Sequence, residues 1–358
     1  MAIGKKAEKQ TEVKVVVPKP TTDVERFKTL FALGKKLNTK YETTNALVRL
    51  GDKVGTKLPS ISTGLPTFDY GVVGTGGIPK GRIIEFFGPE SAGKTSFTLH
   101  IIAECQRAGG IAAFVDAEHS LDPSWAALLG VNVEKLVVSQ PDSGEQALDT
   151  ADELVESQSV DLIVIDSVSA LVPEAELAGD IGDVHMGLQA RLLSQAMRIL
   201  TAKCAKNNTT ILFVNQIRDK IGVLYGSPET TSGGRALKSY SSLRIDVRRR
   251  EEIKQGSELV GHQIRVKAVK NKVGVPFKEA TIELNYEHGF DKEASLIEHA
   301  DALGIFEKAG SWFKMDGANV ANGLPAMKTL LKSDPKALDK VRVAMEKKIA
   351  EGTERVEV

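Results

Sequence analysis

Residues 83–99 read IIEFFGPESAGKTSFTL. Within them Gly88, Pro89, Glu90, Ser91, Ala92, Gly93, Lys94 and Thr95 form an unbroken G-x-x-x-x-G-K-T, with Ser96 next. An apolar run precedes the motif and a helix-forming run follows, the strand–loop–helix context it requires. Glycine at 88 and 93 lets the backbone turn until successive N–H groups point inward. Those amides and the start of the next helix make a cradle for phosphate oxygens. Lys94 has the length to reach β- and γ-phosphates, and the Thr95 hydroxyl suits Mg²⁺.

The chain has 358 residues, enough for about two domains. Its 42% hydrophobic and 26% charged residues are ordinary for a soluble globular protein. The 47 basic and 47 acidic residues cancel, so any nucleic-acid binding must come from a local patch. Cys105 and Cys204 fall in helix-like segments without ligand spacing, as core or surface thiols of a reducing compartment do. There is no apolar run of about 18 residues and no signal-peptide pattern. A cytoplasmic protein without membrane contact is expected.

Residues 1–22 form a Lys-, Thr- and Val-rich lead-in. Val24, Phe27, Leu30 and Phe31 share one face at helical spacing, with Asp23 as a plausible N-cap. So apolar a face needs a partner, either its own core or a neighbouring subunit. Leu47 to Tyr70 reads as short strands and turns, and Gly71 to Gly81 as a loop. Strands are expected at 82–87, 111–117, 161–166 and 210–214. Helices are expected to about Ala108, at 143–157 with a Ser143/Gln146 capping box, and at about 188–205. Strand alternating with helix argues for a parallel sheet covered on both faces. Segments 240–249, 262–270 and 279–285 suggest antiparallel strands at its end. From about Asp291 the pattern turns helical. The domain reading is 1–50 lead-in and N-terminal helix, 51–290 ATPase core, and 291–358 small C-terminal domain.

Three further elements carry chemistry. LIVID ends at Asp166, placing a carboxylate at the carboxyl end of a strand, near Mg²⁺. Strand 111–117 runs into Asp116, Ala117, Glu118 and His119. A carboxylate there can polarise the water that attacks a γ-phosphate; Glu118 is the candidate and Asp116 the alternative. Strand 210–214 ends in Asn215 and Gln216, whose amides suit either a γ-phosphate contact or a turn cap. The aperiodic stretch after Gln216 runs IRDKIGVLYGSPETTSGGR, from Arg218 and Lys220 to Gly233 and Gly234. Its flexible glycines, basic flanks and Tyr225 suit contact with a phosphodiester chain. A shorter loop spans 178–187. Arg244, Arg248, Arg249, Arg250, Arg265 and Lys267 lie on the late strands, as either a second nucleic-acid surface or a solvated face.

GPESAGKT, FVDAEHSLDP, IVIDSVSALVP, IGDVHMGLQARLLSQAMR, NQIRDKIGV, GSPETTSGG and VKNKVGVPFK together resemble the bacterial RecA recombinases. The match runs almost continuously from about Ile61 to Tyr286. The resemblance implies an α/β fold: a RecA-like P-loop ATPase core with a mixed, mainly parallel sheet, an N-terminal helix and a small α+β C-terminal domain. It implies a DNA-dependent ATPase that uses ATP and Mg²⁺ and forms helical filaments on single-stranded DNA. Pairing and strand exchange with homologous duplex DNA would serve recombination, repair and the SOS response. Loading mediators and repressor-like proteins are further implied partners.

Carried over by position, Glu118 aligns with the water-activating glutamate, Asp166 with the Walker B aspartate and Gln216 with the γ-phosphate sensor. Lys270 and Lys272 match lysines that contact ATP across the subunit interface. Asp122, Trp125 and Tyr286 correspond to adenine-binding positions. Loops 178–187, with Met186, and 217–234 match the two DNA-binding loops. Arg191, Ser194 and Arg198 lie on the helix supporting the first loop. Arg248, Arg249, Arg265 and Lys267 correspond to the secondary site for duplex. Trp125 stands where the family commonly has tyrosine, and Ser239 where an aromatic residue can link subunits. A closed-ring helicase would share the core, but the loop pair and the VKNK segment argue against it.

Overall fold

A computed structural model of the chain describes residues 22–42, 46–49, 58–180, 183, 185, 187–219 and 229–354. The chain divides into two units, residues 1–57 and 58–358.

The first unit holds α1 (Asp23–Tyr41). Its N-cap is Thr22, not Asp23. The Thr22 hydroxyl accepts from the Glu25 amide at 3.3 Å, and the Glu25 carboxylate accepts from the Thr22 amide at 3.4 Å. This reciprocal box satisfies two otherwise unpaired backbone groups, which a cap at Asp23 would not match. Val24, Phe27, Leu30 and Phe31 are exposed. The Arg49 guanidinium lies over the Phe27 and Phe31 rings, 4.4 and 4.7 Å from their centroids.

The second unit is built on a ten-stranded sheet. Its strands are β1 (Ile83–Gly88), β2 (Ala112–Asp116), β3 (Val137–Ser139), β4 (Leu162–Asp166), β5 (Thr210–Asp219), β6 (Glu229–Thr231), β7 (Leu243–Gln255), β8 (Glu258–Asn271), β9 (Glu279–Asn285) and β10 (Gly289–Phe290). The spatial order is β10-β9-β8-β7-β1-β5-β4-β2-β3, with β6 added to β5. All pairings from β7 across to β3 are parallel. The β7–β8–β9–β10 end is antiparallel. The fold is therefore α/β, as the strand–helix alternation implies.

Strand side chains alternate between two buried faces, so the central strands read as continuous apolar runs. Ile84, Phe86, Leu162, Val164, Leu212 and Val214 belong to one cluster. It is covered by α2 (Lys94–Arg107) and by the segment 67–73. Ile83, Ile163, Ile165, Ile211 and Phe213 belong to the other. That face is covered by α4 (Gly144–Glu156) and α5 (Leu188–Asn207), while α3 (Pro123–Leu128) packs on the α2 side. Each fully buried aromatic or aliphatic side chain contributes about 1.5–3 kcal/mol of transfer free energy. Cys105 and Cys204 sit one in each cluster, and burial pushes their thiols up to about 11 and about 12.

Several local expectations are corrected. Thr67–Val73 is a π-helical turn, not strand or loop. It is too short to show a period. Asp69 pins it by accepting from the Thr63 amide and hydroxyl and the Ser62 hydroxyl. At α4 the Ser143 hydroxyl caps the Gln146 amide at 3.1 Å, but the Gln146 side chain accepts from Asp142 rather than Ser143. β5 runs on to Asp219, so residues 217–219 are strand, paired with β6.

After Asp291 the chain forms α6 (Lys292–Ala302), α7 (Gly323–Ser333) and α8 (Pro335–Glu354). A three-stranded antiparallel sheet interrupts the expected helical run: β11 (Glu307–Ala309), β12 (Trp312–Met315) and β13 (Ala318–Asn322). Gly310 and Gly317, both at positive φ, make its turns. Leu296, Phe306, Phe313, Met327 and Val341 form a separate apolar cluster there.

Candidate active site and nucleic-acid interface

The phosphate loop joins β1 to α2 at the carboxyl edge of the parallel strands, where ligands of such sheets bind. The glycines are demanded by space. A Cβ at Gly88 would stand 2.0 Å from the Val247 carbonyl oxygen, and one at Gly93 2.4 Å from Ile264 Cδ1. Gly93 also has φ +88. Lys94 is buried, and its ammonium donates to the Gly88 and Pro89 carbonyls at 3.0 and 2.6 Å. Burial lowers its pKa, against Asp166, Glu118 and Glu90.

Register places Gln216 beside Gly88 and Asp166 beside Asp116. The Thr95 hydroxyl donates to Asp166 Oδ2 at 2.6 Å. Burial pushes Asp166 up to about 6; the Thr95 bond and Lys94 oppose this, and Glu118 and Asp116 add to it. Glu118 Oε1 accepts from the Ser167 hydroxyl and, at 3.1 Å, from Gln216 Nε2. Asp116 has other work. It accepts from the Ser120 and Leu121 amides and from Gln140, holding the turn that carries Glu118.

A cavity of about 210 Å³ opens beside the loop. Ser91–Ser96, Trp125, His262, Leu284 and Tyr286 line it. Trp125 Nε1 donates to Ser96 Oγ at 3.1 Å, and the Tyr286 hydroxyl lies 2.9 Å from His262 Nδ1. Asp122 is not among the lining residues; its carboxylate caps α3 through the Ser124 amide.

The Lys270 side chain is bonded to no phosphate-loop residue among the described residues. Its ammonium donates to the Lys238 and Ser239 carbonyls at 2.6 and 2.9 Å. Lys272 follows β8, its backbone amide bonded to the Ser242 carbonyl.

Gly187 caps the start of α5, from which Arg191 and Arg198 project into solvent while Ser194 is partly buried. Gly233 and Gly234 lie against the same helix. A Cβ at 233 would meet Leu193 at 2.3 Å, and one at 234 would meet Ala190 at 2.9 Å. The far end of 217–234 thus packs against the first turns of α5, with Arg218 exposed on β5. Met186, Lys220 and Tyr225 lie outside the described residues.

The late-strand cations are not a bare positive face. Arg248 makes a two-pronged pair with Glu229 and also meets Asp246 at 2.7 Å. Arg265 meets Asp246 at 2.8 Å, Lys267 meets Glu279 at 3.1 Å, and Arg249 meets Glu252 at 3.7 Å.

Residues 29–291 match the RecA N-terminal domain and residues 294–351 the RecA C-terminal domain. The chain belongs to the RecA family. It is 53% identical over 296 residues to Protein RecA of Chloroherpeton thalassium, covering 83% of each chain. It is 51% identical over 312 residues to Protein RecA of Rubrobacter xylanophilus, covering 87% of this chain and 90% of that one. Against Protein RecA of Macrococcus caseolyticus the identity is 51% over 304 residues, covering 84% and 86%. As a RecA-family member the chain is a single-strand-dependent ATPase of homologous recombination, DNA repair and the SOS response. RecA proteins bind single-stranded DNA, form filaments and use ATP with Mg²⁺. No helix among the described residues is long and apolar enough to cross a membrane.

Sequence motifs do not mark Ser167, Glu85 or His262, and they give Asn215 only as one of two strand-end amides. Ser167 directly follows the strand-end aspartate, and Asn215 directly precedes Gln216. Adjacency was the only available signal, because their partners are 49 and 130 residues away.

Proposed function

We propose that this site hydrolyses ATP with Glu118 as the water-orienting base, while Gln216 carries the state of the site toward the DNA loops. The observation that supports this is the convergence of Lys94, Thr95, Asp166, Glu118 and Gln216 at one sheet edge. Lys94 gives up only backbone carbonyl partners when it turns to a phosphate. Thr95 and Asp166 offer adjacent hard oxygens, the donor chemistry Mg²⁺ takes alongside waters. When bound, Mg²⁺ neutralises charge on the phosphate oxygens. Ser167 and Gln216 each donate a hydrogen bond to Glu118 Oε1 and so fix where the carboxyl group points. Trp125 and Tyr286 flank the adenine, with Asp122 acting from the start of α3.

Lys270 and Lys272 serve the neighbouring subunit's ATP. Single-stranded DNA binds along 178–187, Arg191, Ser194, Arg198 and 217–234. Homologous duplex binds at Arg248, Arg249, Arg265 and Lys267. Loading mediators and repressor-like proteins are partners that the resemblance alone implies, as is a cytoplasmic location. The test is phosphate release with and without single-stranded DNA, in the wild type and in Lys94→Ala. The wild type should be stimulated by DNA and the variant should be inactive in both conditions. Normal turnover by the variant would remove the site assignment.

A further inference from the structure

Glu85 sits in the middle of β1, fully buried. A carboxylate there is costly unless each oxygen is partnered. Oε1 accepts from Asn215 Nδ2 at 2.9 Å, and Oε2 accepts from Arg244 Nε. The Arg244 guanidinium is also stacked 4.6 Å from the Phe87 ring centroid. Arg244 thereby anchors the start of β7 to β1.

Asn215 is equally buried, on the neighbouring β5. Its Nδ2 also donates to the Ser232 carbonyl at 3.1 Å. Its Oδ1 accepts from the Gln216 backbone amide at 2.9 Å. One amide therefore holds a buried carboxylate, the Gln216 backbone and the carbonyl just before Gly233. The requirement is specific to asparagine. The site needs N–H donors on one side and an acceptor on the other, at fixed spacing. Aspartate would set a second carboxylate against Glu85. An apolar residue would leave several buried groups unpaired.

We propose that Asn215, oriented by the buried Glu85–Arg244 pair, is a positioning residue that fixes the distance between Gln216 and the closing end of the 217–234 DNA loop. The idea rests on the roles proposed above for Gln216 and that loop. A displacement of Gln216 at the nucleotide then reaches the Ser232 carbonyl through the Asn215 side chain, which reinforces the longer Ser232 amide to Gln216 carbonyl bond at 3.4 Å. Without Asn215 each site keeps its own contacts, because among the described residues the Asn215 side chain is hydrogen-bonded to neither the phosphate loop nor a DNA-facing side chain. What is lost is the side-chain part of the linkage between them, leaving the Ser232 amide on the Gln216 carbonyl at 3.4 Å and the β5–β6 ladder.

The test uses the full chain and fluorescence anisotropy of labelled single-stranded DNA, with and without adenylyl imidodiphosphate. In the wild type the analogue should tighten DNA binding by about 5-fold or more. In Asn215→Ala the enhancement should fall to within about 2-fold, while the affinity for each ligand alone stays within about 3-fold of wild type. Glu85→Gln keeps an acceptor for Asn215 but weakens its anchor at Arg244, so its enhancement should be intermediate. This second variant carries the test if Asn215→Ala does not fold. An undiminished enhancement in the folded variants would overturn the proposal. So would a parallel loss of both affinities with the enhancement intact, which is what a merely structural residue gives. A wild type without any enhancement would instead refute the roles assigned to Gln216 and the loop, and the proposal would fall with them.

Discussion

Gln216 donates its side-chain amide to a carboxylate oxygen of Glu118 at 3.1 Å. The residue proposed to sense the γ-phosphate and the residue proposed to orient the attacking water are in direct contact. A shift of one must break or re-aim the other. Glu118→Gln keeps an acceptor for Gln216 but removes the base. DNA-dependent hydrolysis should fall by at least about 100-fold, the usual worth of a positioned general base. Binding of ATP and of single-stranded DNA should persist. Single-turnover hydrolysis and equilibrium nucleotide binding separate the two effects. A collapse of ATP affinity would make Glu118 a structural residue.

Gly88 is a spacing requirement as much as a turn. A methyl group there meets the Val247 carbonyl oxygen at 2.0 Å, so β1 and β7 would have to part. Gly88→Ala should cost about 1–3 kcal/mol of stability through overpacking. Gly109→Ala is the control. It has φ +85 but no atom within 4 Å of the added carbon, so only local strain of about 1 kcal/mol is expected. Thermal denaturation should rank the two in that order. Equal melting temperatures would mean the strands adjust without cost.

His100 sets a pH dependence of stability. It is buried with a ring nitrogen 2.8 Å from the Thr63 carbonyl, and burial lowers its pKa from 6.5 to about 4. Between those values the unfolded chain carries the extra proton, so stability rises with pH through this window and is lost as pH falls. His100→Gln keeps an N–H for Thr63 and removes the titration. As pH drops from 7 to 4, the variant should gain on the wild type by up to about 3 kcal/mol. Urea midpoints at several pH values measure this. A constant difference would mean that His100 titrates normally in the fold.

The phosphate loop, the parallel strands themselves and both covered faces of the sheet were legible because each depends on local pattern, whereas the strand order was not. Ile83 and Ile84 go to opposite clusters simply because they are adjacent on a strand. What escaped was long-range or short-lived. Segment 67–73 has too few residues for a period, and it is held by Asp69 bonding back to Thr63. The β11–β13 sheet, implied by the resemblance as the β part of an α+β domain, escaped the pattern because its strands have three to five residues, below the length at which alternation is visible. Asn215 looked like half of a strand-end amide pair. Its meaning comes from Glu85 on another strand and Ser232 beyond the loop, and no spacing rule connects those positions.

The cations on β7 and β8 read as either a solvated face or a duplex site, and the ion pairs sharpen the choice into an experiment. Arg248 is shared between Glu229 and Asp246, and Arg265 between Asp246 and Glu279. Duplex phosphates must compete with these carboxylates. Arg248→Ala with Arg249→Ala should leave single-strand binding and DNA-stimulated hydrolysis within about 2-fold, since neither residue lies in the two loops, while the salt dependence of duplex binding weakens. Strand exchange between a circular single strand and a linear duplex should be strongly impaired. Equal loss of single-strand binding and exchange would argue against a separate duplex site.

Lys270 and Lys272 raise the question of where the active site ends. In the single chain Lys270 is bonded to the carbonyls of Lys238 and Ser239, and burial together with Lys272 and Arg244 lowers its pKa. It therefore gives up little when offered a phosphate. The cluster of cations at the end of β8 is poised for an anion, and no phosphate-loop residue is bonded to either lysine side chain among the described residues. The expectation is that these lysines act on a neighbour's ATP, stabilising charge in trans as an arginine finger does. A Lys270→Ala/Lys272→Ala chain should be inactive alone yet still supply Lys94 and Glu118. A Lys94→Ala chain should be inactive alone yet still supply the lysines. Co-assembled on single-stranded DNA, the two should regain part of the ATPase, because some interfaces then hold one intact half from each chain. With random mixing at equal ratio, roughly a quarter of wild-type activity is the upper bound if each interface works independently. Electron microscopy of differently tagged chains confirms that mixed filaments form. If they form and no ratio of the two chains exceeds the variants measured separately, each chain completes its own site and the lysines have another role.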